Sequence, residues 1–145
     1  MKVLYIAQAR VTGGRANGHG RTPDGEIDVD LRLPKELGGA GGGANPEQLF
    51  AVGYAGCFET VLSMVGRREE LDADDVTIDA KVMLIRLADG RSKLGVELDI
   101  TLPSITDAEQ AARLVREAHQ WCPYSSATRG NIDVALVVNG VPLAD

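Results

Sequence analysis

The chain of 145 residues has 15 Lys and Arg against 21 Asp and Glu, so its formal net charge is −6. Surfaces that bind nucleic acids or anionic membranes concentrate positive charge, and this balance argues against both as partners. With 44% hydrophobic and 25% charged residues, the composition is that of a soluble globular protein, and the length suits a single domain over residues 1–145.

The start of the chain does not resemble a secretory signal peptide, because Gln8 and Arg10 interrupt the apolar stretch too early. We therefore expect a cytoplasmic protein. Its two cysteines are Cys57 and Cys122. Permanent disulfides are rare in the cytosol, so this pair is more typical of catalysis or redox sensing than of a structural bridge.

Two strands and a tight turn are predicted in the first third of the chain. Residues 3–11 repeat apolar side chains at every second position, and residues 26–33 alternate strictly until Pro34 ends the run. Residues 12–18 between them form a turn whose glycines supply positive φ angles. Arg15 lies at the tip of this turn and is either solvated or directed at a partner group.

Residues 38–44 form a glycine-rich segment that leads into a helix. Glycines before a helix N-terminus can bind a phosphate group. The segment lacks the Lys-Ser/Thr pair of the Walker pattern, and the dinucleotide pattern would need a following crossover strand. The alternative is a flexible connection that lets the helix reach its place in the core.

A long helix is predicted over residues 46–68, with Asn45 as N-cap and proline at the first helical position. Between residues 49 and 65 the only formal charge is Glu59. A helix that is apolar on nearly every face must be covered on all sides, so we expect it at the centre of the core. It carries Cys57, and small residues beside this thiol would let other backbone enclose a small cavity.

An antiparallel hairpin is predicted after the long helix. Residues 76–87 and residues 94–102 alternate apolar and polar side chains. The Asp89-Gly90 pair between them is a hairpin turn signal.

A second helix is predicted from the capping box formed by Thr106 and Glu109. Pro123 disfavours helical geometry at Cys122 and ends the helix there. Residues 132–141 give a last strand. The order is β-β-α-β-β-α-β, which is an α+β fold with mostly antiparallel pairing. The apolar stripe of the second helix is Ala108, Ala111, Ala112, Val115, Ala118 and Cys122.

The thiol of Cys57 needs a neighbouring cation if it is to act as a nucleophile. It lies about eleven residues into its helix, beyond the reach of the helix dipole, and burial would raise its pKa. Arg15 is the best candidate cation, because its turn gives it freedom to reach inward. An arginine withdrawn from water needs a carboxylate, and Glu47 could hold it in a bidentate pair.

Cys122 has the opposite setting, at a helix C-terminus where partial negative charge disfavours a thiolate. This suits a second thiol that attacks a sulfenic acid on Cys57 and closes a disulfide. Each cysteine alone is more simply a small buried hydrophobic side chain. Their shared inward orientation in a chain without other cysteines favours the redox pair. A metal site that combines both with His119 lacks a fourth ligand, so no metal is expected.

Three motifs carry a resemblance to a known family. They are similar to motifs of the organic hydroperoxide resistance proteins, the Ohr branch of the Ohr/OsmC family, and the arginine of the first turn points to that branch. The resemblance implies an OsmC/Ohr-like fold with a long buried central helix, as an intertwined homodimer. The motifs are Asn45-Pro46-Glu47-Gln48-Leu49-Phe50-Ala51 with Gly53-Tyr54 and Cys57-Phe58, Cys122-Pro123-Tyr124-Ser125 with Ala127-Thr128-Arg129-Gly130-Asn131, and Thr12-Gly13-Gly14-Arg15.

The resemblance also implies an activity, a thiol peroxidase that reduces organic hydroperoxides, including those of fatty acids, to alcohols. Cys57 would be the peroxidatic thiol and Cys122 the resolving thiol, with Arg15 and Glu47 as the activating pair. A lipoylated protein or dihydrolipoamide would be the reductant, and no cofactor is implied.

Apolar residues near Cys57 are predicted to line the substrate pocket, namely Leu49, Phe50, Val52 and Phe58. Such a pocket gains free energy by burying apolar substrate surface, which hydrogen peroxide hardly offers, so organic hydroperoxides are expected to be preferred. The alternative is a module without turnover, in which the cysteine pair senses oxidant or the pocket carries a small hydrophobic molecule.

The spacing between Glu47 and Cys57 poses a geometric problem for the activating pair. Ten residues of unbroken helix rise about 15 Å, which is more than one bridging arginine spans comfortably. Either the helix breaks near Gly53, or the Glu47 that serves a given Cys57 comes from the partner chain. We expect the partner chain, because one small α+β layer cannot cover a helix that is apolar on every face.

Overall fold

The computed structural model describes residues 1–144, apart from the side chain of Arg15. The chain divides into two compact units, one of residues 1–49 and one that begins at Phe50. The prediction of a single domain stays a prediction.

The first unit contains a three-stranded antiparallel sheet in the order β1-β2-β3. These strands are β1 (Arg10–Thr12), β2 (Gly18–Arg21) and β3 (Asp28–Leu31). A short helix, α1 (Gly14–Asn17), forms most of the predicted turn and includes the backbone of Arg15. A 3-10 helix over Lys35–Leu37 follows the sheet. The strand predicted at residues 26–33 is confirmed in its centre and is shorter at both ends.

The strand predicted over residues 3–11 is wrong for most of its length, because regular structure begins only at Arg10. β2 pairs Arg21 with Arg10, and the chain then turns at Thr22. The residues before Arg10 therefore have no partner in β2 to pair with. A strand needs such a partner, so alternation alone does not form one. The large apolar side chains of this segment are exposed: Val3, Leu4, Tyr5 and Ile6.

The glycine-rich segment runs against the end of β3. The Arg32 N–H donates to Ala44 O at 2.8 Å, and the Ala44 N–H donates to Asp30 O at 2.8 Å. A Cβ at Gly39 would lie 2.1 Å from Leu33 O, so a larger residue could not take this path. Close backbone packing therefore accounts for glycine at this position.

The long helix α2 (Pro46–Arg68) is confirmed and runs for 23 residues without a break at Gly53. Asn45 and Gln48 cap its N-terminus reciprocally. The Gln48 N–H donates to Asn45 Oδ1 at 2.9 Å, and the Asn45 N–H donates to Gln48 Oε1 at 3.1 Å.

In the single chain, α2 is covered on one face only. Tyr54, Phe58 and Leu62 are fully buried, whereas Val52 is 73% exposed. Within the described residues, the face of Val52 is left uncovered, which agrees with the expectation that one chain alone cannot cover this helix; its cover by a partner chain stays a prediction. By length and composition α2 could also span a membrane, but the core helix of a soluble protein meets the same criteria, so this is weak evidence.

The second unit contains a four-stranded sheet in the order β4-β5-β6-β7. The predicted hairpin is confirmed as β4 (Thr77–Arg86) and β5 (Ser92–Thr101), which pair antiparallel over ten residues each. Its turn is closed by the Gly90 N–H, which donates to Leu87 O at 3.0 Å. β6 (Val134–Val138) pairs parallel with β5.

The strand predicted over residues 132–141 is in fact two strands. β6 ends at Val138, and β7 (Val141–Pro142) turns back antiparallel against it. The residues between them are Asn139, which has a φ of 47°, and Gly140. An Asn-Gly pair favours this kind of hairpin turn.

The second predicted helix is confirmed as α3 (Ala108–Trp121), with a different cap. Its N-cap is Asp107 and not Thr106, because the Asp107 carboxylate accepts a hydrogen bond from the Gln110 N–H at 3.0 Å. Pro123 ends α3 as predicted and also begins a short helix that the sequence analysis did not predict, α4 (Pro123–Thr128).

The main core of the second unit is formed by α2, α3 and β5. Its fully buried large side chains include Phe58, Leu62, Leu98, Ile100, Leu114 and Val115. At the ends of α2 and α3, the Arg68 guanidinium carbon lies 5.3 Å from the centre of the Trp121 ring. This combination of helices with mostly antiparallel sheets confirms the α+β class.

Candidate active site

The two cysteine thiols face each other in the second unit. Cys57 Sγ and Cys122 Sγ lie 3.6 Å apart, and both cysteines are free. Cys57 lies on α2 and is partly exposed, whereas Cys122 is fully buried. A disulfide bond is about 2.05 Å long, so a shift of roughly 1.5 Å would close one. The geometry therefore pairs one accessible thiol with one protected thiol.

The boundary between α3 and α4 fixes the position of Cys122. The Cys122 N–H donates to Ala118 O at 2.9 Å, and Cys122 O accepts from the Ser126 N–H at 2.9 Å. Its extended backbone, φ −68° and ψ 123°, is the conformation that a following proline favours. Cys122 therefore closes one helix and opens the next, and its side chain is fully buried at this junction.

Burial raises the pKa of the Cys57 thiol, as expected from the sequence. The backbone N–H of Tyr124 opposes this by stabilising the thiolate, while the neighbouring Cys122 thiol adds to the increase. None of these groups, which belong to the described part of the chain, is a cation. A reactive thiolate at Cys57 therefore requires a further positive group.

Three aromatic rings pack beside the thiols. The ring centres of Phe50, Tyr54 and Tyr124 lie 5.6 to 6.2 Å from one another. Tyr124 Oη occupies the space above Gly53, where an added Cβ would approach it to 2.6 Å. A glycine at this point of α2 therefore allows the Tyr124 ring to lie against the helix.

Two of these rings, Phe50 and Tyr124, line a cavity of about 790 Å³, whose wall includes neither Cys57 nor Cys122. Apolar side chains dominate its wall, and two cationic side chains contribute. A cavity of this size could hold an apolar molecule with a polar end. The lining residues are Phe50, Leu87, Arg91, Ser92, Lys93, Leu94, Pro123, Tyr124, Ala127, Thr128, Asn131 and Ile132.

The four residues predicted to line the substrate pocket occupy different places in the structure. Phe50 lines the cavity, whereas Phe58 is fully buried in the core. Val52 lies on the exposed face of α2, and Leu49 is 39% exposed. Their contact with substrate stays a prediction.

Most residues of the cavity wall were not predicted from the sequence. Tyr124 belongs to a motif quoted for the resemblance, so its closeness to Cys122 was available as a signal. Leu94 lies in β5, and Ile132 lies just before β6. Because β5 and β6 pair in parallel, these two residues from separate parts of the chain line the same cavity.

The predicted activating residues are not tested by these contacts. The side chain of Arg15 lies outside the described part of the chain. Glu47 lies in the first turn of α2 and is partly buried. α2 is continuous through Gly53, so no helix break shortens the distance along the axis between Glu47 and Cys57.

Comparison with known proteins shows the family of this chain. The OsmC-like protein family matches residues 39–137. An organic hydroperoxide resistance protein of Xanthomonas axonopodis pv. citri is 48% identical over 139 residues, which are 94% of this chain and 96% of that protein. The organic hydroperoxide resistance protein OhrB of Bacillus subtilis is 42% identical, over 92% of this chain and 96% of that protein.

Solved crystal structures support the same family assignment. The crystal structure of an organic hydroperoxide resistance protein from Elizabethkingia anophelis, with thiocyanate bound, has a TM-score of 0.89 at 45% identity, covering 95% of this chain and 98% of that one. A structure from Vibrio cholerae, with captopril bound in one of the active sites, has a TM-score of 0.90 at 40% identity, covering 99% and 97%. The chain therefore belongs to the OsmC-like family. Within that family, these relatives confirm its resemblance to the organic hydroperoxide resistance branch.

Proposed function

We propose that this protein is a cysteine-based peroxidase that reduces organic hydroperoxides, including those of fatty acids, to alcohols. The observation that carries the proposal is the thiol pair, with Cys57 partly exposed and Cys122 buried 3.6 Å away. Membership of the organic hydroperoxide resistance branch supports a role in resistance to these oxidants.

The reaction proceeds in three steps: oxidation of Cys57, formation of the disulfide, and reduction of the disulfide. The Cys57 thiolate attacks the terminal oxygen of the hydroperoxide and the O–O bond breaks, so Cys57 becomes a sulfenic acid and the alkoxide leaves as the alcohol by taking up the proton that the thiol released. The Cys122 thiol then attacks that sulfur, the S–O bond breaks, and water leaves as the Cys57–Cys122 disulfide forms. A dithiol, in our proposal a lipoylated protein or dihydrolipoamide, reduces the disulfide by thiol exchange and is itself oxidised.

Activation of Cys57 requires a cation, because burial raises its pKa. We assign this role to Arg15, with Glu47 as the carboxylate that holds the guanidinium. An Arg–carboxylate pair can be bidentate, which would fix the guanidinium in one orientation.

A homodimer accounts for two features that one chain leaves unexplained. The face of α2 that carries Val52 is exposed in the single chain. In addition, Glu47 and Cys57 are separated by ten residues of continuous helix, about 15 Å of rise. An intertwined homodimer would cover the face, and a Glu47 from the partner chain would remove the spacing problem. We place the dimer in the cytoplasm, where two free cysteines stay reduced, and treat residues 1–145 as one functional domain.

The apolar cavity supports organic hydroperoxides as substrates. Each Å² of apolar substrate surface that it buries contributes about 25 cal/mol, while hydrogen peroxide has almost no such surface. Of the two cationic side chains at the wall, Arg91 is paired with Asp89 at 2.7 Å, so Lys93 is the one that suits a substrate ending in a carboxylate.

Peroxide-dependent oxidation of dihydrolipoamide tests the function. We expect multiple turnovers with cumene hydroperoxide, a lower kcat/KM with hydrogen peroxide, and no turnover by Cys57→Ser. Equal efficiency for the two peroxides would contradict the substrate assignment. Oxidation that stops after one equivalent, although dihydrolipoamide is present, would favour the alternative of an oxidant sensor or a carrier of a small hydrophobic molecule.

A further inference from the structure

A chain of hydrogen bonds runs through the buried core beside the two thiols. Tyr54 Oη lies 2.8 Å from Ser125 Oγ, and Ser125 Oγ lies 2.8 Å from His119 Nδ1. Tyr54 Oη also lies 3.3 Å from Thr128 Oγ1. Tyr54 and Ser125 are fully buried. We refer to the side chains of His119, Ser125, Tyr54 and Thr128 as the hydroxyl network.

The hydroxyl network lies one helical turn from each thiol. Tyr54 precedes Cys57 by three residues on α2, and His119 precedes Cys122 by three residues on α3. Ser125 follows Cys122 by three residues, in α4. Side chains three apart are neighbours on a helix surface. The network therefore runs alongside the thiol pair and joins the same two segments of the chain.

The network is a tether between the helix of Cys57 and the segment of Cys122. Within residues 1–144, hydrogen bonds from Tyr54, the contact between the thiols and the Tyr124 backbone N–H at the Cys57 sulfur join α2 to α3 or α4, and the last two involve the reacting sulfur atoms. The contact between the thiols is rebuilt in every catalytic cycle, whereas the bonds of Tyr54 take no part in the proposed chemistry. They can therefore hold the two segments in place while the sulfur atoms change partners.

The position of Tyr54 in the core also indicates more than packing. Its ring is enclosed with apolar side chains such as Phe58 and Leu62, where an unpaired hydroxyl would be costly. No buried side-chain N or O atom is left without a partner in the described part of the chain. A phenylalanine would fill the same space without needing partners, so the hydroxyl adds a directional bond that the apolar core does not need for its volume.

We propose that the hydroxyl network positions Cys122 for disulfide closure, an inference that rests on the proposed peroxidase function. In that step the Cys122 sulfur bonds to the Cys57 sulfur, and the sulfenic hydroxyl leaves as water with the Cys122 proton. Tyr54 and Ser125 are positioning residues. By limiting the separation of the thiols to a distance near 3.6 Å, they raise the effective concentration of one thiol at the other.

The first test measures the thiol pair without any peroxide. The protein is equilibrated with mixtures of reduced and oxidised dithiothreitol, and the disulfide fraction gives the equilibrium constant of the Cys57–Cys122 pair. For Tyr54→Phe and for Ser125→Ala we expect this constant to fall roughly tenfold, which corresponds to about 30 mV. Ser126→Ala is the matched control, since Ser126 is the exposed neighbour in α4, and it should stay within about twofold of wild type.

The second test separates closure from the first chemical step. The first chemical step is measured in proteins that also carry Cys122→Ser, so that no disulfide can form. After one equivalent of cumene hydroperoxide, we expect Tyr54→Phe/Cys122→Ser to form the Cys57 sulfenic acid at the same rate as Cys122→Ser alone. With Cys122 present, closure in Tyr54→Phe should slow by a similar factor of roughly ten, and more sulfenic acid should be trapped by dimedone. Circular dichroism and Tm confirm that each variant is folded.

Unchanged equilibrium constants and closure rates in both variants would overturn the inference. Equal slowing of both chemical steps together with a lower Tm would also overturn it, because that pattern indicates a purely structural role. If the wild-type protein shows no peroxide turnover but the dithiothreitol equilibrium shifts, the network still positions the thiol pair and the proposed peroxidase function is wrong.

Discussion

Tyr124 Oη lies against Gly53, at a point where a Cβ on residue 53 would approach it to 2.6 Å. Gly53→Ala should therefore push the Tyr124 ring away from α2. Alanine gains about 1 kcal/mol of helix propensity, which offsets part of the clash, so we expect little change in Tm. The backbone of Tyr124 lies beside Cys57 and its ring lines the cavity. Displacement of this residue should lower kcat/KM for cumene hydroperoxide roughly tenfold.

The double variant Gly53→Ala/Tyr124→Phe is the control for that prediction. It removes the oxygen atom that the new methyl group would meet, so it should recover part of the activity lost in Gly53→Ala. Full activity in the single variant would show that the Tyr124 ring is not held in place by its contact with Gly53.

The two cysteines should behave differently when each is replaced. Cys57→Ser should abolish peroxide reduction, because it removes the partly exposed thiol. Cys122→Ser should form one sulfenic acid per subunit and then stall or become over-oxidised, because the buried thiol that closes the disulfide is missing. Mass spectrometry after one equivalent of organic hydroperoxide measures both outcomes. A sulfenic acid that appears first on Cys122 in the wild-type protein would reverse the assignment.

The two histidines should titrate on opposite sides of the ordinary value of 6.5. The hydrogen bond to Asp30 is the main cause of the raised pKa of His19, whereas burial lowers the pKa of His119. The stability that His19 contributes is therefore present below its unfolded pKa and is lost as the pH rises through its folded pKa. For His119 the folded pKa is lowered, so its contribution to stability is present above the unfolded pKa and is lost as the pH falls through the folded pKa.

NMR titration of the two imidazoles tests these directions. Asp30→Asn removes the main partner of His19, so its midpoint should move down toward the ordinary value while that of His119 stays where it is. A His19 midpoint that does not respond to Asp30→Asn would show that this hydrogen bond is not the cause.

Subunit mixing should show whether the active site is built across the dimer. Cys57→Ser and Glu47→Ala subunits should each be inactive alone. In a cross-subunit site, a heterodimer has one site with both defects and one with neither, so activity should return toward half of wild type. Absence of recovery after proven subunit exchange would mean that Glu47 and Cys57 of one chain serve the same site.

The elements that local sequence signals determine were predicted well. Asn45 and Pro46 mark the start of α2, Asp89-Gly90 marks the hairpin, and Pro123 marks the end of α3, because each acts through its own backbone geometry. The strand over residues 3–11 was wrong because a strand also needs a pairing partner, which its own sequence does not reveal.

The proximity of the two thiols was predictable from the sequence, whereas the surroundings of the thiols were less so. The Cys57 and Cys122 pair followed from inward faces and from motif likeness, and the structure brings the thiols together. The cavity wall and the hydroxyl network depend on side chains from several elements, so no single stretch of sequence shows them. His119 was considered only as a metal ligand, whereas its imidazole lies within hydrogen-bond distance of Ser125.

Trp121 is the single tryptophan of the chain, and it immediately precedes Cys122. Its indole, 55% exposed, lies under the Arg68 guanidinium at the ends of α2 and α3. Closing or opening the bond between the two sulfur atoms changes the chemical state of the residue next to this ring. The protein thus carries its own optical reporter, whose emission should follow each change of oxidation state in real time without an added dye.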